Sequence, residues 1–247
     1  FESWAVDNVF KPMNIGGTDF VCDKLIHICC DPNTIENADM ISGFDNVYCA
    51  YGTHPHNAKE YTDELERTLI ERVRREKTVA WGEMGLDYHY KHSPIDTQKR
   101  VFERQLRAAV EIGKPLVIHT REAEEDTIDI LKNVVPSDYR IHLHCFTSSK
   151  EMAMNLIEYF PNLYIGITGV VTFASAKSVV EVVQSVPIER LVLETDGPFM
   201  APIPLRGKTC HSGMIPHTAK KIATIKGITI DEVVATTREN TLRLYGI

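Results

Sequence analysis

Four side chains that could bind a metal ion stand at the ends of apolar segments far apart in the chain. They are a glutamate, two histidines and an aspartate: Glu83, His119, His144 and Asp196. Each follows small or apolar residues typical of a buried strand, where an unpaired carboxylate is costly to desolvate. One such residue alone is more often a cap or a core histidine, but four in equivalent positions favour a shared site. Imidazole and carboxylate ligands together suit Zn²⁺, Mn²⁺ or a similar divalent ion.

Further polar residues follow the same apolar segments. His54 and His56 flank a proline, where they could contact a substrate oxyanion or act only as loop and capping residues. Arg121, at the predicted start of a helix, suits bidentate binding of a phosphate or carboxylate. The alternative for Arg121 is an exposed ion pair with a neighbouring glutamate. Four histidines show no informative spacing and are predicted to lie at the surface: His89, His92, His211 and His217.

These residues require a fold that brings strand ends together. The hydrophobic pattern predicts seven strands, over 21–30, 47–52, 79–82, 116–119, 141–145, 163–167 and 190–194. Helical periodicity predicts helices over 34–41, 61–77, 97–112, 123–134, 151–160, 176–186, 215–226, 230–238 and 239–244. Residues 1–19 are predicted to form an irregular lead-in. Alternation of this kind predicts a parallel sheet with helices outside it.

The distribution of the polar residues separates two parallel architectures. A doubly wound sheet concentrates its chemistry at one switch point, whereas a (β/α)₈ barrel gathers it at the carboxyl ends of many strands. Here the candidates follow several different strands, which predicts a TIM-type (β/α)₈ barrel in a single domain over residues 1–247. Because only seven strands are predicted, we expect the first strand of the barrel to be missing from this chain.

Composition limits the class of protein. With 43% hydrophobic and 25% charged residues, the 247-residue chain has enough apolar material for a full core. No apolar run is long enough to span a membrane, so no membrane partner is expected. The net charge of −7 argues against a broad basic surface but leaves a local basic cleft open. The six cysteines form no Cys-x-x-Cys pair, and we expect reduced thiols in a monomeric cytoplasmic or nuclear protein.

Five segments, taken in order, resemble the TatD family of metal-dependent nucleases. They are GTHPH (52–56), GEMGLDY (82–88), VIHTRE (117–122), HCFTSS (144–149) and LETDGP (193–198), followed by a closing RENTLRLYG (238–246). The resemblance implies a metal-dependent hydrolase barrel that cleaves phosphodiester bonds of DNA, and in some members RNA, with exonuclease action expected. It also implies two divalent metal ions, Mg²⁺, Mn²⁺ or Zn²⁺, that activate water.

The resemblance further implies a role for each candidate residue. Glu83 would bridge the two ions, and Asp196 would bind one of them and act as the catalytic base. Two histidines would bind the other ion, His119 and His144. Three residues would lie near the scissile phosphate and bind substrate: His54, His56 and Arg121.

One family feature is absent. Family members begin with a strand that ends in a His-x-His pair, but no such pair precedes Val21, and His27 has no partner two residues away. We therefore expect the chain to begin downstream of that strand, through truncation or an altered gene model. Two alternatives stay open: an amide or ester hydrolase like the related amidohydrolases, which the acidic net charge favours, or a non-catalytic barrel that lacks the His-x-His ligands.

Overall fold

The first described segment is a short antiparallel pair of strands. The structure, a computed structural model, describes residues 11–15 and 18–247. Strands β1 (Met13–Ile15) and β2 (Thr18–Phe20) pair with each other. The predicted irregular lead-in is wrong at these strands, since three residues carry too little alternation to identify a strand from sequence. The rest of that prediction, at residues 1–10 and 16–17, lies outside the described residues.

Seven further strands form one sheet. They are β3 (Leu25–Cys29), β4 (Val47–Tyr51), β5 (Thr78–Asp87), β6 (Leu116–Arg121), β7 (Ile141–Leu143), β8 (Leu163–Ile167) and β9 (Leu191–Leu193). Their order in the sheet is their order in the chain, and the registers of β4–β5, β5–β6, β6–β7 and β8–β9 are parallel. A doubly wound sheet reverses its order at a switch point. The sequential order therefore confirms the predicted barrel-type α/β class.

Helices alternate with these strands. They are α1 (Ile35–Ile41), α2 (Asp63–Val73), α3 (Ile95–Ile112), α4 (Glu124–Val134), α5 (Lys150–Tyr159), α6 (Lys177–Ser185), α7 (Ile215–Lys226) and α8 (Ile230–Tyr245). A 3₁₀ turn, Pro55–Glu60, follows β4. The two helices predicted over 230–244 are one continuous helix, α8, because neither glycine nor proline interrupts residues 230–245.

The chain divides into two compact units. Unit 1 comprises residues up to 25, 145–154 and 165–241, and unit 2 comprises residues 26–144, 155–164 and 242–247. The single domain predicted over 1–247 stays a prediction. Within the described ranges, no helix combines the length and the apolar character needed to cross a membrane.

The core of unit 2 is built around β5. All ten residues of this strand are buried, as expected for a central parallel strand covered on both faces. Trp81, Met84 and Leu86 have no exposed surface, and Phe102 and Leu106 of α3 are equally buried. Burying each of these side chains contributes about 1.5–3 kcal/mol. The strand that carries Glu83 is therefore held rigidly on both sides.

Two buried glutamines on α3 hold the loops that follow β4 and β5. Gln105 accepts hydrogen bonds from the Thr53 N–H at 2.8 Å and the Trp81 indole at 3.1 Å, and donates to the Thr53 carbonyl at 3.0 Å. Gln98 accepts from the Asp87 N–H at 2.8 Å and donates to the Asp87 carbonyl at 3.0 Å. The two glutamines are seven residues apart, so they lie on one face of the helix. That face fixes the loop that carries His54 and the end of β5 that carries Asp87.

In unit 1, strand β9 is held by α8. The Asn240 amide donates to the carbonyls of Ile188 and Leu191, both at 2.8 Å, and Asn240 is fully buried. β9 pairs in parallel with β8, with Leu193 opposite Ile167. The chain beyond β9, which includes Asp196, therefore starts from a fixed point.

Candidate metal centre

Glu83 lies within a strand rather than at its end. The predicted strand stops at Gly82, whereas β5 continues to Asp87, with a register shift between Trp81 and Met84. Gly85, at φ +150°, lies opposite His119 in β6. A β-carbon at Gly85 would overlap the His119 carbonyl oxygen, so a residue with a side chain would push the two strands apart. Glycine at this position therefore lets β5 and β6 approach closely and brings Glu83 to His119.

The Glu83 carboxylate is surrounded by histidines. Its Oε1 lies 2.7 Å from His119 Nδ1, and 3.6 Å from both His54 Nε2 and His144 Nε2. The residue is only 7% exposed. His54, Glu83 and His119 each offer a ligand atom, and these three atoms lie within 4.8 Å of one another. The structure thus brings four of the predicted site residues together within unit 2.

A second carboxylate supports the same histidines. Asp87 Oδ2 lies 3.0 Å from His56 Nε2 and 3.3 Å from His119 Nε2, and the side chain is 1% exposed. The sequence analysis assigned no role to Asp87. The even spacing of residues 83 and 87 places both on the same face of β5, but this signal was hidden because the predicted strand ended before both residues. Cys30 was also missed; its Sγ lies 3.7 Å from Glu83 Oε2.

The charge states of these groups favour binding of a cation. Burial alone would raise the pKa of Glu83, but the imidazoles of His144 and His119 hold it well below its usual value. Burial lowers the pKa of His54 to about 3, so its ring is neutral and keeps a lone pair available at neutral pH. Burial also acts to lower the pKa of His119, but hydrogen bonds to Asp87 and Glu83 outweigh it and raise the pKa. The centre therefore combines an anionic carboxylate with at least one neutral imidazole.

These donors fit a divalent metal ion. A carboxylate with imidazoles at this spacing is the mixed oxygen and nitrogen set preferred by Zn²⁺ and Mn²⁺. Asp87 is placed to hold His119 through one ring nitrogen while the other faces Glu83, which is the usual carboxylate–histidine support of a metal ligand. The residues present therefore fit the group that the sequence predicts.

Asp196 belongs to unit 1. It follows β9 with φ +55°, and its carboxylate lies within 4.8 Å of Cys145 Sγ. The Cys145 N–H donates to the Glu194 carboxylate, and Cys145 Sγ lies 3.4 Å from Met200 Sδ. A cation shared by Asp196 with the histidines of unit 2 stays a prediction.

The positions of some residues around the metal centre differ from the predictions. Arg121 is the last residue of β6 rather than the start of a helix, and its guanidinium lies over the Tyr90 ring, 4.8 Å from the centroid. His92, predicted to be a surface residue, is exposed, but its ring centroid is 4.6 Å from that of His56. His142 points away from the centre, with Nδ1 2.7 Å from the Tyr245 hydroxyl.

We expect Asp87→Asn to weaken the affinity for Zn²⁺ and Mn²⁺ by about 10–100-fold, the usual effect of losing a group that orients a metal ligand. The asparagine side chain cannot accept hydrogen bonds from both His56 and His119 as well as the carboxylate does. Competition with a fluorescent chelator measures the affinity. Asp39→Asn is the matched control, because Asp39 accepts from the Tyr51 hydroxyl and Arg72 but from no imidazole. An unchanged affinity in Asp87→Asn would exclude the orienting role.

Comparisons with known proteins bear on the identity of this centre. The sequence model of the family described as TatD related DNase matches residues 18–246. The human protein named 3'-5' RNA nuclease TATDN2 is 44% identical over 224 residues, which are 88% of this chain but 29% of the human protein. A Bacillus subtilis protein, named uncharacterized metal-dependent hydrolase YabD, is 40% identical over 91% of this chain and 88% of its own length.

A solved structure of a TatD homologue has a similar fold. The Escherichia coli TatD homologue YJJV superposes with a TM-score of 0.82 over 91% of this chain and 87% of that structure, at 24% sequence identity. A likeness at that identity shows the fold alone. The family match over nearly the whole chain, together with the B. subtilis relative, shows the family. The chain is a member of the TatD family of metal-dependent hydrolases.

Proposed function

We propose that the chain is a metal-dependent nuclease that removes nucleotides from the end of DNA, and of RNA in the same site. The observation that carries the proposal is the buried Glu83 carboxylate with three imidazoles of His54, His119 and His144 within 3.6 Å of it. The family description names DNases, and the human relative is named a 3'-5' RNA nuclease. This chain spans 29% of the length of the human protein, and we propose the same class of activity for it.

The ligand roles follow the motifs. Glu83, His119, His144 and Asp196 would hold the divalent ions: Glu83 would contribute to both, His119 and His144 to one, and Asp196 to the other, and Asp196 would accept the proton of the attacking water. When bound, the ions lower the pKa of water toward neutrality and neutralise charge on the phosphate. Support for Glu83 and the histidines comes from their contacts. The role of Asp196 depends on its motif, LETDGP.

The remaining residues bind and orient the phosphate. His54 and His56 follow β4, and Arg121 ends β6, so all three lie at or just beyond the carboxyl ends of strands, where ligands bind in parallel α/β folds. A guanidinium can hold two oxygens of one phosphate. Water adds to phosphorus as the bond to the leaving oxygen breaks, and the proton accepted by Asp196 is available to that oxygen. Glu83 and Asp196 are thus the proposed catalytic residues.

A second candidate activity is hydrolysis of an amide or ester. The net charge of −7 favours it, since binding of nucleic acid draws much of its affinity from cationic contacts to phosphates. The Arg121 guanidinium suits a substrate carboxylate as well as a phosphate. The two activities share the metal centre and differ only in the bond that is cleaved.

A matched substrate panel tests the two functions. The panel is one single-stranded sequence as DNA and as RNA, labelled at either end, with a lactone and an N-acyl amino acid, each with Mg²⁺, Mn²⁺ or Zn²⁺. We expect a ladder that shortens from the 3' end, and no measurable hydrolysis of the lactone or amide. Hydrolysis of the lactone or amide without any cleavage of the oligonucleotides would replace the proposed function by the second candidate.

A further inference from the structure

Two exposed aromatic rings stand on the loop between β5 and α3, next to the metal centre. The rings of Tyr90 and His92 are nearly parallel, at 18°, with their centroids 5.8 Å apart. Tyr90 is 45% exposed and His92 is also exposed. We call this pair the aromatic shelf. An aromatic side chain on a surface loop is hydrophobic area left in contact with water, which in a binding protein commonly marks a contact surface.

The loop that carries the aromatic shelf is held in one conformation by buried groups. The Tyr90 N–H donates to Asp87 Oδ1 at 2.8 Å, and the His92 N–H donates to the Tyr90 carbonyl at 2.9 Å. At the end of the loop, the fully buried Ser93 donates to the His56 carbonyl at 2.8 Å, and its carbonyl accepts from Gln98 at 2.9 Å. The shelf is therefore in place before any ligand binds, which reduces the entropy lost on binding.

The shelf is continuous with the residues proposed to bind phosphate. The Arg121 guanidinium lies 4.8 Å from the Tyr90 centroid, and the His56 ring meets Tyr90 edge-on at 5.7 Å. His56 also lies 3.0 Å from Asp87, which contacts His119. A planar group resting on the shelf would thus lie beside a phosphate held by His56 and Arg121.

We propose that the aromatic shelf is a nucleobase-binding subsite, which stacks the base of the nucleotide beside the scissile phosphate. This proposal rests on the proposed nuclease function. Aromatic faces bind bases of any sequence by stacking, and they need a base that is unpaired or splayed out of a duplex. Arg121 connects the aromatic shelf to the proposed phosphate site. Its guanidinium is held over the Tyr90 ring, and its N–H groups can reach phosphate oxygens. The subsite therefore selects single-stranded ends without reading sequence.

Removing the shelf and removing the base should each lower kcat/KM, and the combined loss should be smaller than the product of the two separate losses. With a single-stranded oligonucleotide, Tyr90→Ala should lower kcat/KM by about tenfold, in the range of stacking on one aromatic residue. An abasic nucleotide at the 3' end should lower kcat/KM of the unaltered protein by a similar factor. On the abasic substrate Tyr90→Ala should lose less activity than on the intact substrate, because only the contact of Tyr90 with the Arg121 guanidinium is then removed. Tyr90→Phe should retain the activity on the intact substrate.

A matched control and a binding measurement separate the subsite from a structural role. Tyr159→Ala removes a tyrosine of similar exposure, 41%, that contacts Lys132 and Phe160. This variant should leave kcat/KM unchanged on both the intact and the abasic substrate. A 3'-terminal 2-aminopurine should lose fluorescence when the metal-depleted protein binds it, but not with Tyr90→Ala. Equal losses on intact and abasic substrates, or unchanged quenching in Tyr90→Ala, would overturn the subsite. If the unaltered protein quenches 2-aminopurine but cleaves no oligonucleotide, the proposed nuclease function is overturned, whereas binding of a base by the shelf is supported.

Discussion

Glu83→Gln should lower the rate of oligonucleotide hydrolysis by at least about a thousandfold, because a change of several kcal/mol in stabilisation of the transition state corresponds to that factor. The glutamine has the same shape but no charge, and its NH₂ group cannot accept from His119 as the carboxylate does at 2.7 Å. Folding should be retained, since the surrounding β5 residues are unchanged. A labelled single strand measures the rate, and mass spectrometry of the purified protein measures the bound metal.

The matched control is Glu158→Gln, the same change at an exposed glutamate of α5. It should leave both the rate and the metal content unchanged. Near-normal cleavage by Glu83→Gln with full metal content would show that the carboxylate is not required. Loss of activity together with loss of the folded far-ultraviolet spectrum would instead reveal a structural effect, and Glu83→Asp, which keeps the charge, would then distinguish the two.

Removal of divalent metal should abolish hydrolysis and lower the melting temperature. A ligand at a hundred times its Kd stabilises the folded protein by about 2.7 kcal/mol. For a chain of this length that corresponds to roughly 5–11 °C. Dialysis against a chelator, followed by addition of Mg²⁺, Mn²⁺ or Zn²⁺ one at a time, measures both activity and melting temperature. The absence of any bound divalent metal in the purified protein, with no shift on its addition, would contradict the metal centre.

The affinity for metal should also increase as the pH rises above the ordinary pKa of a histidine, about 6.5. The contacts with Asp87 and Glu83 raise the pKa of His119, so at low pH the metal-free protein keeps a proton on this ring that a cation must displace. Raising the pH through that pKa removes the proton and with it the competition. Titration of Zn²⁺ in buffers of different ionisation enthalpy measures the released proton. An affinity that falls with rising pH would show that His119 is not a ligand.

The polar residues at strand ends were the most reliable part of the sequence pattern. His54, Glu83, His119 and His144 meet in unit 2 because parallel strands place their carboxyl-terminal halves, and the residues that follow them, along one edge of a sheet. The end of this strand was predicted at Gly82, five residues too early, since Gly85 is typical of a turn in sequence but here permits a close approach between β5 and β6. The pattern could point to the candidate ligands without giving the length of the strand.

The supporting groups could not be predicted from their own segments. Gln98 and Gln105 lie on the apolar face of α3, where a polar residue contradicts the helical pattern. Their partners are backbone groups near residues 53 and 87, which only the folded chain brings to them. The even spacing of Asp87 with Glu83 was hidden by the predicted end of the strand, and its partner His56 lies 31 residues away. Contacts between distant segments thus account for most of what the sequence alone left out.

Through the amides of Gln98 and Gln105, helix α3 fixes segments of the candidate metal centre although it carries none of the candidate metal ligands. Each amide uses its oxygen as an acceptor and its nitrogen as a donor toward the same loop. Glutamate would set a negative charge against a carbonyl, and leucine or methionine would leave buried backbone groups without partners. Engineering of this enzyme for heat resistance should therefore leave these two helix positions untouched, even though repacking rules would select them first for a hydrophobic replacement.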